Sequence, residues 1–183
     1  MPLFRPAGRV RPRIAFGAPI PASLEVEREL ADIFLTEFVP IWQVREGLTA
    51  HLPDGWRLVD LHDVWLGGPA LAGQVAAADY RIVVTGADGS ALATAAASLL
   101  TAAELPRDRL KGGSTVRYDL RPLLADICVV DEGPPVVLRA QTRFDPVLGT
   151  GRPEEVVAAL ADAVGSALVV SSMVRERLIL AQE

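Results

Sequence analysis

The feature that most constrains this chain is the order in which its apolar period changes between residues 79 and 183. Alternation over 79-DYRIVVTG-86 predicts a strand. Ser90 is placed to cap an alanine-rich helix that runs to about Glu104, with Pro106 stopping it. The polar stretch 106-PRDRLKGG-113 predicts a linker, and 114-STVRYDLRPLLADI-127 predicts a strand continuing to Val130. Glu132, Gly133 and Pro134 supply a turn into a further strand, 135-PVVLRAQTRF-144. Pro153 marks a helix start, with Glu154 and Glu155 in a first turn whose dipole favours anions. Val156, Val157, Leu160 and Val164 form its apolar side, and Gly165 suits a left-handed cap. The run 167-ALVVSSMVRERLIL-180 is the last strand.

Residues 79–183 therefore spell β-α-β-β-α-β, the ferredoxin-like order, which predicts an antiparallel sheet with its helices on one face. The first half spells a shortened version. Extended segments are expected over 13-RIAFGAPIPA-22 and 31-ADIFLTEFV-39, on either side of the charged piece SLEVEREL. Pro40 opens a helix to about Leu52 with Ile41, Val44, Leu48 and Leu52 on one side, Pro53-Asp54-Gly55 stops it, and 56-WRLVDLHDVW-65 alternates like a strand. The expected fold class is α+β: tandem ferredoxin-like modules over 1–78 and 79–183, or one fused domain, with the first module lacking its first strand and helix. That gap predicts a rearranged first half, or a partner strand that covers an open edge.

At 183 residues and 50% apolar composition, the chain is long and hydrophobic enough for a proper core. Its net charge of -5 argues against an overall polyanion binder, though not against a local basic patch. Lys111 is the only lysine; arginine carries the remaining positive charge. Cys128 is the only cysteine and sits in an apolar run, so it reads as a small buried hydrophobe in a reducing compartment. The opening MPLFRPAGRVRPR lacks the apolar core of a signal peptide. The run 91-ALATAAASLLTAA-103 is shorter than the roughly 20 residues of a membrane span. A soluble, cytoplasmic protein is expected.

Catalytic motifs are sparse. His51 and His62 have no Cys or second His at ligand spacing, so no metal is expected, and Asp60, His62 and Asp63 read as a solvated strand end. Ser23, Ser90 and Ser166 lack a nucleophile-elbow context, and 84-VTGADGSA-91 lacks the ending of a phosphate loop. No cofactor is expected. Arginines offer more. Arg139, Gln141 and Arg143 share the polar side of one strand, Arg81 that of another, Arg117 and Arg121 flank Asp119, and Arg175 and Arg177 lie on the last strand. Together they predict guanidinium groups on the sheet face away from the helices, suited to phosphate or carboxylate. The same pattern is also what an ordinary half-exposed sheet shows, and exposed ion pairs are worth only about 0–1 kcal/mol. Tyr80 and Phe144, the aromatics of the central strands, fall on the core side, which disfavours RNA recognition by base stacking.

Four pieces in order, 12-PRIAFGAPIPASLEVERELADIFL-35, 119-DLRP-122, 149-GTGRPEEV-156 and 175-RERL-178, resemble the bacterial domain of unknown function associated with radical S-adenosylmethionine proteins. Members of that family begin with a further strand and helix and a Gly-Phe-x-Pro-His-Pro loop. Here Gly8-Arg9-Val10-Arg11-Pro12 stands at the loop's place and its histidine is absent, so the resemblance implies an amino-terminally shortened member. It also implies fusion to, or proximity with, radical-SAM enzymes and RNA-processing genes, and marks Arg121-Pro122 and Arg152-Pro153 as motif positions. A single cysteine cannot hold the iron–sulfur cluster of such an enzyme, which needs three thiolates. The expected role is an accessory or substrate-binding domain for a radical-SAM protein, linked to RNA or ribosome modification. The alternatives are an enzyme acting on a phosphorylated or carboxylate substrate, and a structural homodimer. The candidate anion- or partner-binding residues are Arg117, Asp119, Arg121, Arg139, Arg143, Arg152 and Arg175.

Overall fold

In the computed structural model, which describes residues 3, 7, 13–21, 24–111 and 113–181, the first half of the chain forms short elements and the second half long ones. The Gly8–Pro12 segment and Ser23 lie outside the described residues. Strands β1 (Ile14–Phe16), β2 (Glu25–Val26) and β3 (Ala31–Ile33) precede helix α1 (Ile41–Thr49) and the single turn α2 (Leu71–Gln74). Then follow β4 (Val75–Thr85), α3 (Gly89–Thr101), β5 (Pro106–Lys111), β6 (Ser114–Asp119), a 3-10 turn (Arg121–Leu123) and β7 (Leu124–Asp131). Strands β8 (Val136–Asp145) and β9 (Gly149–Thr150), helix α4 (Pro153–Val164) and β10 (Val169–Leu180) complete them.

The main sheet runs β2-β10-β4-β8-β7, with β9 pairing β8. β4, β7, β8 and β10 pair antiparallel, and only β2 joins parallel, along the β10 edge. Alternation decides the two faces. Ala78, Tyr80, Ile82 and Val84 of β4 and Val136, Leu138 and Ala140 of β8 enter one core with Leu92, Ala95, Ala96 and Leu99 of α3 and Val156 and Leu160 of α4. Phe144 packs against that core, so both Tyr80 and Phe144 take the expected inward side. Alanines at two α3 positions allow the helix to approach the sheet and α4 closely.

Two expectations for the second half change in detail. The supposed linker 106–113 is strand β5, paired with β6 in a hairpin turned at Gly113, whose φ of 83° suits glycine. The strand expected over 114–130 is broken in the middle. The Asp119 carboxylate accepts the N–H groups of Arg121 at 2.9 Å and Leu105 at 2.7 Å, and Pro122 has no N–H to give a ladder. The chain turns through Arg121–Leu123 and enters the sheet only at Leu124.

The first half departs further. β1 and β3 form a two-stranded ribbon, β2 extends the main sheet, and residues 56–65 carry no strand. Among the described residues, the strands of the first half thus divide between the separate β1–β3 ribbon and the β10 edge of the main sheet. Residues 56–65 place charged groups on both alternating sides, which leaves neither side to bury. Cys128 is also corrected: it is exposed, because the register sets it opposite Arg139 on the polar face of edge strand β7. Among the described residues, no helix is long and apolar enough to cross a membrane.

Leu138 is fully buried at the centre of the sheet, so Leu138→Ala is expected to lower stability by about 2–5 kcal/mol, measured as the shift in urea unfolding. Burial also raises the Tyr80 phenol above its ordinary pKa, against the opposing pull of Arg175. The unfolded chain then loses this proton at lower pH than the folded one, so stability falls as pH rises above about 10. Urea titrations at about pH 8 and 11 should show a drop that Tyr80→Phe reduces.

Candidate functional site

The outer face of the sheet, opposite the helices, gathers charged side chains from several strands. Asp79 and Arg81 come from β4, Arg139 and Gln141 from β8, Asp126 from β7, and Glu176 and Arg177 from β10, with Glu27 and Arg28 following β2. Most of them line an open groove of about 490 Å³. A cleft along Phe16–Ile20 and Ala72 is apolar and offers no side chain that ionises.

One backbone irregularity builds the centre of this groove. Arg175 lies opposite Tyr80, but Arg177, not Glu176, lies opposite Asp79, so Glu176 is the extra residue of a β-bulge. Both Glu176 and Arg177 therefore reach the outer face. Glu176 bridges two guanidiniums, taking Arg81 Nε at 3.0 Å and Arg139 Nε at 3.3 Å. Arg81 also pairs with Glu27. The Glu176 hydrogen bond, with Glu27 adding to it, raises the pKa of Arg81 above its ordinary value. Asp79 accepts Gln141 Nε2 at 2.8 Å and Arg177 Nε at 2.6 Å.

The chemical capacity follows from what remains unspent. Arg139 and Arg177 use only Nε internally and are more than half exposed, at 56% and 60%, so their terminal N–H forks face solvent. A guanidinium fork takes a carboxylate or phosphate with two parallel bonds. Asp126 and the carboxylates around the forks repel a dense polyanion, because Glu27, Asp79, Asp126 and Glu176 balance Arg28, Arg81, Arg139 and Arg177. A ligand of mixed charge suits this surface better than a uniformly acidic one.

The seven residues expected from the sequence are scattered. Only Arg139 lines the groove; Arg143 lies further along the same face, its Nη1 donating to the Pro122 carbonyl at 2.9 Å. Arg121 is a clamp rather than a binding group, donating to the carbonyls of Leu100 at 2.7 Å and Leu124 at 2.8 Å. It thereby ties the last turn of α3 to the start of β7, and Asp119 holds the backbone of that same corner. Arg175 lies on the other side of the sheet from Glu176, buried against Glu29 at 2.7 Å and the Pro19 carbonyl at 3.0 Å. Arg117 is exposed on β6, and Arg152 precedes α4. Asp60 and His62 lie 3.7 Å apart on an exposed loop, and among the described residues no His, Cys, Asp and Glu group is arranged to hold a metal ion.

Sequence reasoning missed Asp79, Asp126, Glu176 and Glu27. Asp79 and Arg81 carried a readable signal, the alternation in 79-DYRIVV-84. Glu176 carried none, since strict alternation assigns it to the opposite side from its neighbours.

A family model described as an uncharacterized protein conserved in bacteria (DUF2344) matches residues 9–157. No curated protein and no solved structure matches the chain.

Removing the Arg121 guanidinium leaves two part-buried carbonyls unpaired, so Arg121→Ala is expected to cost about 1–3 kcal/mol in urea unfolding. Arg139→Ala, on the exposed face, is expected to stay within about 0.5 kcal/mol of the parent.

Proposed function

The chain belongs to this bacterial family of uncharacterized proteins, and we propose that it is a non-catalytic accessory or substrate-binding module working with a radical-SAM protein. The observation that carries this reading is the outer sheet face, open and lined by guanidinium forks and carboxylates in balance. An open, mixed-charge surface suits docking of a macromolecule, whereas small-molecule catalysis favours a concave, mostly enclosed pocket. The resemblance of residues 12–35, 119–122, 149–156 and 175–178 supports the choice of a radical-SAM partner and a setting in RNA or ribosome modification. A cytoplasmic location belongs to the same proposal.

The scaffold of this module is, on our reading, ferredoxin-like over residues 75–180, with the β5–β6 hairpin inserted between α3 and β7. The strand order β10-β4-β8-β7 and the sharing of one core by α3 and α4 support it. The enzyme alternative loses its anchor, because the Arg121 donors are taken by backbone carbonyls. A homodimer is favoured by a different observation. Phe38, Trp42, Trp56, Val59, Val64, Trp65 and Leu66 are all at least half exposed, and apolar surface of that extent marks interaction sites.

The test is a native pull-down of the tagged full chain from its bacterial host, with and without nuclease. A radical-SAM protein should be recovered in both cases, and lost with Arg139→Glu combined with Arg177→Glu. Recovery of the chain alone would sink the accessory reading and favour the dimer, which sedimentation of the same sample would reveal.

A further inference from the structure

The β5–β6 hairpin leaves the sheet and lies along α4, on the side of the molecule away from the outer groove. Its register sets Arg107 opposite Tyr118 and Arg109 opposite Val116, so these four side chains share one face. Arg107 anchors that face to the helix through Glu155 at 3.4 Å and through Asp162, and its charge is thereby balanced. Arg109 is different. No carboxylate among the described residues lies within ion-pair distance of it, and its Nε is buried with no acceptor. Its guanidinium carbon stands 5.0 Å from the centre of the Tyr118 ring. Its terminal nitrogens lie beside Gly149, where a β-carbon would come within 3.6 and 3.9 Å of them.

Arg152 lies on the residue before α4 and likewise forms no ion pair with any described residue. Burial and Glu155 raise the pKa of the Tyr118 hydroxyl, while Arg109, Arg152 and Arg107 pull the other way. Since Glu155 is engaged by Arg107, the carboxylate of this first turn that remains free is that of Glu154, which is exposed. Arg109, with a buried donor lacking an acceptor, thus stands over a phenol and beside the Gly149 loop, which leads within three residues to the unpaired Arg152.

We infer that this corner is an anion site for a phosphate group, gripped by Arg109 and Arg152 with the Tyr118 hydroxyl donating a further hydrogen bond. A phosphate monoester fits because it carries about 1.5 to 2 negative charges and three strong acceptor oxygens, which match two forks and a hydroxyl. A lone carboxylate, with one charge and two oxygens, leaves one fork unanswered. Gly149 presents no side chain to the Arg109 fork, which leaves room beside it. This site is independent of the outer face: it shares no residue with the groove formed by Arg139, Glu176 and Arg177.

The test is a calorimetric titration of the full chain with inorganic phosphate at low ionic strength, using acetate as comparison. Saturable phosphate binding with a Kd of about 1 mM or tighter is expected. Arg109→Gln and Arg152→Gln should each weaken it roughly tenfold, while Arg117→Gln, on the other face of the hairpin, and Arg139→Gln should not. Tyr118→Phe keeps the ring under Arg109 and should weaken binding by a smaller factor, which guards against a hairpin that fails to fold when Arg109 is lost. No saturable phosphate binding by the parent chain overturns the assignment. So does binding that the Arg152→Gln and Tyr118→Phe variants both retain in full.

Discussion

The pairing of β4 with β8 is the interaction on which the rest of this structure depends. Eight successive register positions join Ala77–Val84 to Val136–Arg143, and alternation along both strands sorts apolar from polar side chains in step. One face buries Ile82, Val84 and Leu138 under α3 and α4, and the other carries Arg81, Arg139 and Gln141 around a largely buried Asp79. A slip of one residue would bury the charges and expose the core, at a cost no surface interaction offsets. The rigidity of the outer groove therefore derives from a core it does not touch.

The arginines of this chain do three different kinds of work. Arg121 and Arg175 are internal fasteners. The first satisfies carbonyls at the end of α3; the second pairs with a buried glutamate that holds the first half of the chain onto β10. Arg81 and Arg107 are balanced by carboxylates on neighbouring elements and bind the fold together laterally. Arg139 and Arg177 on one side, and Arg109 and Arg152 on the other, retain donors that face outward or lack an acceptor. These four keep bonding capacity for another molecule, whereas the first two groups spend most of theirs inside the fold. Residue type alone does not distinguish the groups; the acceptors around each guanidinium do.

The inserted hairpin shows how a short excursion creates a second surface. Its polar inner face would be poor material for a main-sheet strand, since one side of that sheet is dry. Laid against α4, where Glu155 and Asp162 meet Arg107, the same residues become an inter-element contact and bring Arg109 beside the glycine loop before the helix. The strand order of the main sheet is unaffected, because the excursion begins and ends at the corner pinned by Asp119.

By itself, the sequence determined the α+β class, the long elements of the second half and the inward side of Tyr80 and Phe144. Those follow from apolar period, proline and glycine, which are local and act within one element. It also placed Arg139 and Arg143 correctly on the outer face by simple alternation. Tertiary structure alone decided the remainder of the site. The bulge at Glu176 shifts two consecutive residues onto one face, and nothing in 175-RERL-178 signals an extra residue. Arg121 became a clamp because the broken strand brought it beside the Leu100 carbonyl, 21 positions away in the chain. The segment 56–65 stayed unpaired because it has no apolar side for a sheet to bury, even though it alternates. Alternation says which side chains share a face, whereas pairing, bulges and the supply of hydrogen-bond acceptors depend on elements distant in sequence.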